Sequence, residues 1–415
     1  MAAPTTVYHV LCILFFCVIT SAYPTAGVQL NNLSSTSTVR EKRQLRHNVK
    51  GIYLWNRDLP IKYTFNNSLE TKVPFIKDLI NYMQERTCLN FEYDPQDFTV
   101  VFHNTVDGLC RCMAGMNTPF TLMEINYEGC VPRYGISMLL HEFIHLFGAY
   151  HVFNEVRSRE FISFTDENKA DSNYNEMPEL RHLGLPFNLG SQINYALSID
   201  TLRPLQQFAS FSDAVPVFSD IRMINTFHKC PDLCDPEDLF RCSTNLGLPN
   251  SRNCSTCLCP DGFEGPTCTD RIRSSYNNPP CGDTLYATDI SQTLHVAIEP
   301  SASYVKYRKN STEIMYPNIC VWHIKAPLGK MVSLKVTGKF SYGGPYYVSN
   351  QQHLCQQNKL EIKLRNFDLA GIRFCINEDF ENIPTLYSDG NLAVVIALSG
   401  WLDLPPLDVT FAAVD

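Results

Sequence analysis

The feature that most constrains this chain is a cluster of histidines between residues 141 and 151, which reads HEFIHLFGAYH. His141 and His145 are four residues apart, so on a helix both imidazoles leave the same face and can bind one ion. Gly148 allows a sharp turn after that helix, and the turn would bring His151 round as a third ligand. Glu142 lies beside the ligands, where it can accept a proton from water at the metal.

The donor set predicts the ion and the kind of site. Three neutral imidazole nitrogens with open coordination positions favour Zn²⁺, and we expect one zinc ion here. A structural zinc site would normally close with a fourth protein ligand, often cysteine, and this motif contains none. A chance pair of histidines on an amphipathic helix is the other interpretation, but all five fixed positions match. We therefore predict an open, catalytic zinc site.

The amino terminus indicates export. Residues 10–19 form an apolar run, VLCILFFCVI, followed by small residues that fit cleavage after Ala22. The run is too short for a membrane span of about 20 residues, and no later segment is long and apolar enough. We expect a signal peptide over residues 1–22 and a secreted protein without a membrane span. An uncleaved signal anchor remains the alternative.

Cysteine usage agrees with an extracellular location. Of seventeen cysteines, all but Cys12 and Cys17 belong to the mature chain, and such density is typical of an oxidising compartment. The net charge is −8 with no long charged run, so nothing indicates a nucleic-acid partner. Four sequons are compatible with N-glycosylation: Asn32, Asn66, Asn253 and Asn310.

A short polar segment separates the signal peptide from the first structured region. Residues 23–43 are Ser/Thr-rich and end in Arg40-Glu41-Lys42-Arg43, which resembles a furin-type processing site. We interpret the segment as the propeptide of a zymogen. A solvated linker is the alternative interpretation.

Residues 44–230 alternate between strand and helix patterns, which predicts an α+β domain. At 415 residues the chain suggests two or three domains in all. The predicted elements of the first domain are a strand over Leu59–Phe65, an amphipathic helix over Leu69–Arg86, strands over Phe98–His103 and Thr121–Asn126, and a helix over Gly135–Phe147.

Residues 231–269 contain six cysteines and few apolar residues, so disulfides must stabilise this segment. Its ending, Cys254-x2-Cys257-x-Cys259 followed by PDGFEGPTC, resembles an EGF-like module. A zinc knuckle is the alternative, but the segment itself contains no histidine.

The last region, residues 281–415, is rich in strand patterns and contains four cysteines. The stretch Cys320-x-Trp322-x-Ile324-x-Ala326-Pro327 carries most of its resemblance to a CUB domain. That resemblance implies an all-β antiparallel sandwich.

Around the histidines the chain resembles the astacin family of metzincins. The full HExxHxxGxxH pattern defines the metzincins, and the GCV run at residues 129–131 is typical of astacins. The family's S-x-M-H-Y turn has its counterpart at residues 191–195, and residues 218–230 resemble the end of the domain. The resemblance extends from about Trp55 to the end of the chain, because nematode astacins often carry EGF-like and CUB modules in this order. It implies that Tyr195 ligates zinc and then stabilises the oxyanion. A core tyrosine in an ordinary turn is the alternative interpretation of Tyr195.

The resemblance also implies a set of disulfides, which the residues alone do not fix. Cys130 is expected to pair with Cys110 or with Cys112, a choice that stays open, and our site assignment takes Cys112. The implied pairs are Cys88–Cys230, Cys234–Cys254, Cys242–Cys257, Cys259–Cys268, Cys281–Cys320 and Cys355–Cys375.

Several positions depart from the astacin pattern. Ile193 replaces the methionine beneath the zinc, an apolar exchange that should preserve packing. Val152 replaces a glutamate that anchors the mature N-terminus, and residues 157–159 read Arg-Ser-Arg where the family is acidic. The predicted propeptide contains no aspartate, which argues against latency through a carboxylate on zinc.

These observations predict a secreted zinc endopeptidase that hydrolyses extracellular or matrix proteins, with Glu142 as general base. The CUB domain would add protein contacts. The alternative is a non-catalytic secreted adaptor that uses its EGF-like and CUB modules and retains a vestigial protease domain. The peripheral departures favour that alternative, and the intact ligands and base favour the enzyme.

Overall fold

The computed structural model describes residues 48–49, 52–66, 69, 72–107, 109–126, 136–164, 185–194, 199–201, 216–273, 281–299, 317–338, 358–374, 383–399 and 404–415. The predicted signal peptide and propeptide lie outside these residues. Several predicted site residues do as well, namely Tyr195, Cys130, Cys355, Cys375, Asn32 and Asn310.

The first part of the chain, residues 48–227, is called the metal-binding region below. Its strands are β1 (Asn48–Val49), β2 (Ile52–Tyr53), β3 (Ile61–Phe65), β4 (Phe91–Tyr93), β5 (Val100–Asn104), β6 (Arg111–Cys112), β7 (Thr121–Ile125), β8 (Ile162–Phe164) and β9 (Ile199–Thr201). Five of them form one sheet in the order β4-β3-β5-β7-β6. Only the edge strand β6 runs antiparallel within that sheet.

Among the described residues, three α-helices accompany these strands: α1 (Val73–Gln84), α2 (Ile136–Leu146) and α3 (Phe218–Phe227). Short 3₁₀ helices span Val152–Asn154 and Val156–Glu160. Helix α1 begins with a proline in its first turn, where the missing N–H costs nothing. Its apolar residues recur at helical spacing and are buried against the sheet, together with the apolar residues of α2. The predicted α+β arrangement is therefore present.

Residues 230–273, called the disulfide-rich segment, contain only short helices and strands. They form a 3₁₀ helix (Cys230–Leu233), α4 (Pro236–Ser243) and two antiparallel hairpins, β10 (Leu248–Asn250) with β11 (Asn253–Leu258) and β12 (Phe263–Glu264) with β13 (Asp270–Arg271). Disulfides Cys234–Cys254, Cys242–Cys257 and Cys259–Cys268 cross the segment. These are the pairs that the resemblance implied.

The described residues between 281 and 415 form a β-sandwich. Its strands are β14 (Thr284–Tyr286), β15 (Gln292–Ile298), β16 (Asn318–Lys325), β17 (Met331–Thr337), β18 (Asn358–Lys363), β19 (Ile372–Phe374), β20 (Leu386–Tyr387), β21 (Leu392–Ser399) and β22 (Leu404–Val414). One sheet has the order β14-β16-β21-β18-β19 and the other β15-β22-β17-β20. The core lies between them, and β14 with β16 is the one parallel pair among these strands.

The remaining described disulfides include one correction. Cys88–Cys230 and Cys281–Cys320 are present as expected. Our assignment of Cys112 to a disulfide is wrong, because Cys112 is a free thiol and Cys110 is disulfide-bonded. Cys110 lies just before β6, with its Sγ 3.3 Å from the backbone nitrogen of Asn126, whereas Cys112 is the last residue of that strand and lies near Glu142.

Two predicted glycosylation sites can be compared. Asn253 is exposed, whereas Asn66 is partly buried and its Nδ2 lies 2.7 Å from His103 Nδ1. Asn253 is thus the more accessible of the two. Separately, none of the described helices has the length and apolar character needed to cross a bilayer.

Candidate metal centre

Helix α2 carries two of the three histidines. One face of the helix packs into the core through residues such as Leu139, Leu140 and Phe143. His141 and His145 lie four residues apart on another face and are themselves buried, at 6% and 8% exposure. The core therefore fixes the helix, and the helix fixes both imidazoles.

A tight turn after α2 supplies the third histidine. Gly148 has φ = 98°, a conformation that costs a side-chain-bearing residue free energy, and its N–H donates to His145 O at 2.8 Å. The chain then reverses, and His151 precedes the 3₁₀ helix Val152–Asn154. The His151 ring stacks on Phe153 with 4.8 Å between ring centroids.

The three imidazoles converge through their Nε2 atoms. His145 Nε2 lies 3.1 Å from His141 Nε2 and 3.2 Å from His151 Nε2. Backbone carbonyls contact the opposite ring nitrogens: Gln192 O lies 2.8 Å from His141 Nδ1, and Ala149 O lies 2.8 Å from His145 Nδ1. A carbonyl only accepts, so these Nδ1 atoms carry the protons and the Nε2 lone pairs face the centre.

This donor set fits a zinc ion. The ligand atoms of the triad all lie within 4.8 Å of one another. Lone pairs that face each other in a buried space repel unless a cation lies between them. Three imidazole nitrogens are ligands that Zn²⁺ accepts, and three protein ligands leave coordination positions for water and substrate.

Burial keeps the triad neutral, as metal ligation requires. Desolvation, with the neighbouring His145, lowers the pKa of His141 to about 3, and desolvation lowers that of His145 to about 4. The pKa of His151 lies well below its ordinary value for the same reasons. Protons therefore do not compete for these nitrogens near neutral pH.

Glu142 lies on α2 between the two helical ligands and is 4% exposed. Burial raises the pKa of its carboxyl group to about 8, although the backbone N–H of Cys112 and the charge of Arg111 oppose that rise. Arg111 forms ion pairs with Glu124 and with Asp107. Its Nη1 lies 2.9 Å from Asp107 Oδ2. A carboxyl group with a pKa near neutrality can both accept and return a proton.

A loop on the far side of His141 completes the centre. Gln192 contacts His141 through its carbonyl, and its side-chain Nε2 donates to Ser137 O at 2.7 Å. Asp220 of α3 holds this loop, because it accepts from Gln192 N at 2.8 Å and from the Ser191 hydroxyl. Ile193, the methionine replacement, is fully buried in the core.

The structure thus brings His141, His145, His151 and Glu142 together. Sequence reasoning missed Gln192 and Asp220 as supports of the site. An acidic residue in the first turn of a helix is a recognisable capping signal, and Asp220 indeed accepts from Val217 N at the start of α3. The sequence did not indicate that the same carboxylate holds a loop 28 residues earlier.

Comparisons with known proteins agree with this geometry. Residues 47–207 match the family described as Astacin, a family of peptidases. Zinc metalloproteinase nas-27 of Caenorhabditis elegans is 27% identical over 382 residues, which cover 86% of this chain and 84% of that protein. Zinc metalloproteinase nas-28 of the same organism is 27% identical over 363 residues, covering 83% and 69%.

Among solved structures, high choriolytic enzyme 1, a hatching-enzyme zinc protease of the medaka Oryzias latipes, is 17% identical with a TM-score of 0.35. The match covers 41% of this chain and 88% of that one. The family match and the nematode relatives include the segment of the histidine cluster. The chain therefore carries a domain of the astacin peptidase family over residues 47–207.

Proposed function

We propose that this protein is a secreted zinc-dependent endopeptidase that hydrolyses peptide bonds of extracellular or matrix proteins. The observation that carries the proposal is the convergence of three Nε2 atoms beside a buried carboxyl group. The names of the nematode relatives support the same class of activity.

His141, His145 and His151 would hold the ion. When bound, Zn²⁺ lowers the pKa of water and polarises a carbonyl group. Glu142 accepts the proton of the attacking water and delivers it to the leaving amine nitrogen. Its position next to two ligands on α2 and its pKa of about 8 without metal suit both transfers. Tyr195 would stabilise the oxyanion by donating from its phenol.

The rest of the chain would serve targeting and control. Residues 1–22 would direct secretion, and removal of residues 23–43 would release the zymogen. We assign the disulfide-rich segment to an EGF-like module, and its three disulfides support that assignment. The two-sheet sandwich and its Cys281–Cys320 disulfide support a CUB domain that contacts protein partners. Asn253 would carry a glycan.

The test compares the secreted, processed protein with Glu142→Gln on quenched peptides and denatured matrix proteins. Both proteins should bind about one zinc, because Glu142 is not a ligand. The parent should cleave and a chelator should stop it, whereas the variant should lose about 100-fold or more of kcat. Glu160→Gln is the matched control, since Glu160 is exposed, and it should behave as the parent.

One outcome would favour the adaptor instead. If zinc-loaded, processed parent is as inactive as Glu142→Gln on every substrate, the protein does not turn over peptide bonds. The EGF-like and CUB modules would then be the functional part, and binding partners of the sandwich would be sought.

A further inference from the structure

Strand β18 of the sandwich is buried on both of its faces, although one face is charged. Leu360 and Ile362 point into the sandwich core. The alternate side chains Lys359, Glu361 and Lys363 point the other way, yet each is at most 3% exposed. Charged side chains are almost never this buried unless they are paired and covered.

The charges pair within one network. Glu361 accepts from Lys359 Nζ at 2.8 Å, from Arg373 Nε at 3.0 Å and from Gly371 N at 2.7 Å. Arg373, on the neighbouring strand β19, is only 1% exposed. Lys363 Nζ donates to Phe367 O at 3.0 Å. The charged face of β18 is therefore satisfied and rigid rather than solvated.

The metal-binding region covers part of this network. Arg373 Nη1 donates to Gly190 O at 3.3 Å, and Ala370 N donates to Asn188 Oδ1 at 3.3 Å. Nearby, Arg222 Nη1 of α3 lies 2.7 Å from Asp368 Oδ2 of the sandwich. The loop that contains Asn188 and Gly190 is therefore hydrogen-bonded directly to the sandwich.

The approach at Gly190 leaves no room for a side chain. A Cβ there would overlap the Cβ of Ala370 and would lie 2.7 Å from Arg373 Nη1. The backbone of Gly190 is not in the left-handed region, so the restriction comes from the sandwich and not from φ. The two regions are thus in direct backbone-to-side-chain contact at this glycine.

Gly190 is two residues before Gln192, whose carbonyl contacts His141 Nδ1 at 2.8 Å. Asp220 holds the two residues that follow Gly190, because it accepts hydrogen bonds from the Ser191 hydroxyl and from Gln192 N. The loop is also tied across itself, because Asn194 Nδ2 lies 3.4 Å from Asn188 O. A shift of Gly190 would consequently move the carbonyl that orients His141.

We propose that the sandwich positions the metal centre: Arg373, held by Glu361, and Ala370 fix the loop 188–192 so that the Gln192 carbonyl orients His141 for zinc. The sandwich is then a structural part of the zinc site in addition to a surface for partners. Partners that orient a ligating histidine typically change metal affinity by about 10- to 100-fold when they are lost. The proposal rests on the zinc site of the proposed function.

The test uses the full chain and measures zinc dissociation constants by competition with a chromophoric chelator. Gly190→Ala should weaken zinc binding by about tenfold or more, because it pushes the loop away from the sandwich. The matched control is Gly390→Ala, where a Cβ would meet nothing within 4 Å, and it should bind zinc as the parent does.

A second variant tests the route of the effect. Ala370→Gly removes the Cβ that a residue at 190 would overlap, so Gly190→Ala/Ala370→Gly should recover part of the lost affinity. A loop disturbed only within the metal-binding region would not be rescued by a change in the sandwich. If Gly190→Ala does not fold, Arg373→Lys replaces it with the same measurement, since lysine keeps the charge but loses the second guanidinium arm.

The outcomes separate this proposal from the proposed function. If folded Gly190→Ala binds zinc as tightly as the parent, or if Ala370→Gly brings no recovery, the positioning role is wrong while the peptidase proposal stands. The same holds if Arg373→Lys binds zinc as the parent does. If the parent itself binds no zinc, the zinc site fails and this proposal fails with it. Peptide cleavage is a second readout, and a kcat loss at unchanged KM at saturating zinc is expected for Gly190→Ala.

Discussion

At the scale of single residues, burial lowers the pKa values of His141 and His145 and raises the pKa of Glu142. In zinc-free protein the folded His141 and His145 stay neutral down to pH values of about 3 and 4, whereas unfolded histidine takes up a proton near 6.5. These lowered pKa values give stability that is lost as the pH falls below 6.5. Glu142, with a pKa raised from 4.5 to about 8, gives stability that is lost as the pH rises through that interval.

The contribution of Glu142 can be isolated by comparison with Glu142→Gln in the presence of a chelator. Between about pH 5 and pH 8 the unfolding free energy of the parent should fall relative to the variant by about 1.4 kcal/mol per pH unit. Both proteins should lose stability on acidification from pH 6.5, because both keep the histidines. Urea denaturation across this range is the measurement. Parallel pH profiles above about pH 5 would contradict a raised pKa for Glu142.

At the scale of elements, one side of helix α2 packs in the core and another side carries His141 and His145. Phe143 is fully buried, with ring centroids 5.9 Å from Phe102 of β5 and 6.3 Å from Phe91 of β4. These contacts join the helix to the sheet. The positions of His141 and His145 therefore depend on the aromatic packing of Phe143 against the sheet.

Phe143→Ala should reduce the unfolding free energy by about 3 to 5 kcal/mol, because it leaves a cavity beneath α2. Urea denaturation of the zinc-free protein measures this loss. Val106→Ala is the control, since Val106 is 98% exposed and its change should stay within about 0.5 kcal/mol. Equal stability of the two variants would show that Phe143 does not hold the helix.

At the scale of the whole molecule, the disulfide-rich segment is joined to the end of α1 by Arg252. Its Nε donates to Gln84 O at 2.9 Å and to Thr87 O at 2.8 Å, and its Nη2 donates to Leu89 O. The disulfide Cys88–Cys230 lies in the same place. Together with the contacts at Gly190, these interactions join the described parts of the metal-binding region to the disulfide-rich segment and to the sandwich.

Arg252→Ala should destabilise the full chain by about 1 to 3 kcal/mol, because it leaves backbone carbonyls without their donor. Thermal unfolding should show a lower midpoint for this variant. Arg365→Ala is the control, because Arg365 is 60% exposed at its side chain and makes an exposed ion pair with Asp389. Identical midpoints for the two variants would mean that the segment does not depend on Arg252.

Much of this protein could be read from local sequence patterns. Helical spacing indicated α1 and α2 to within a few residues, and alternation indicated β3, β5 and β7. The spacing of His141 and His145 on one helix determined that they share a face, and Gly148 indicated the turn that follows. These features depend on residues close in the chain, which is why the sequence alone determines them.

Only the tertiary structure decided the features that join distant segments. Whether Cys110 or Cys112 forms the disulfide depends on how residues 110–112 lie at the edge of the sheet, because Cys110 precedes β6 and Cys112 is its last residue. Two cysteines at such close spacing give no local signal for the choice. The contact of Arg373 with Gly190 joins residues 183 positions apart, and the pKa of Glu142 follows from what buries it. Burial and long-range contact are properties of the packed chain, so no local pattern of residues could specify them.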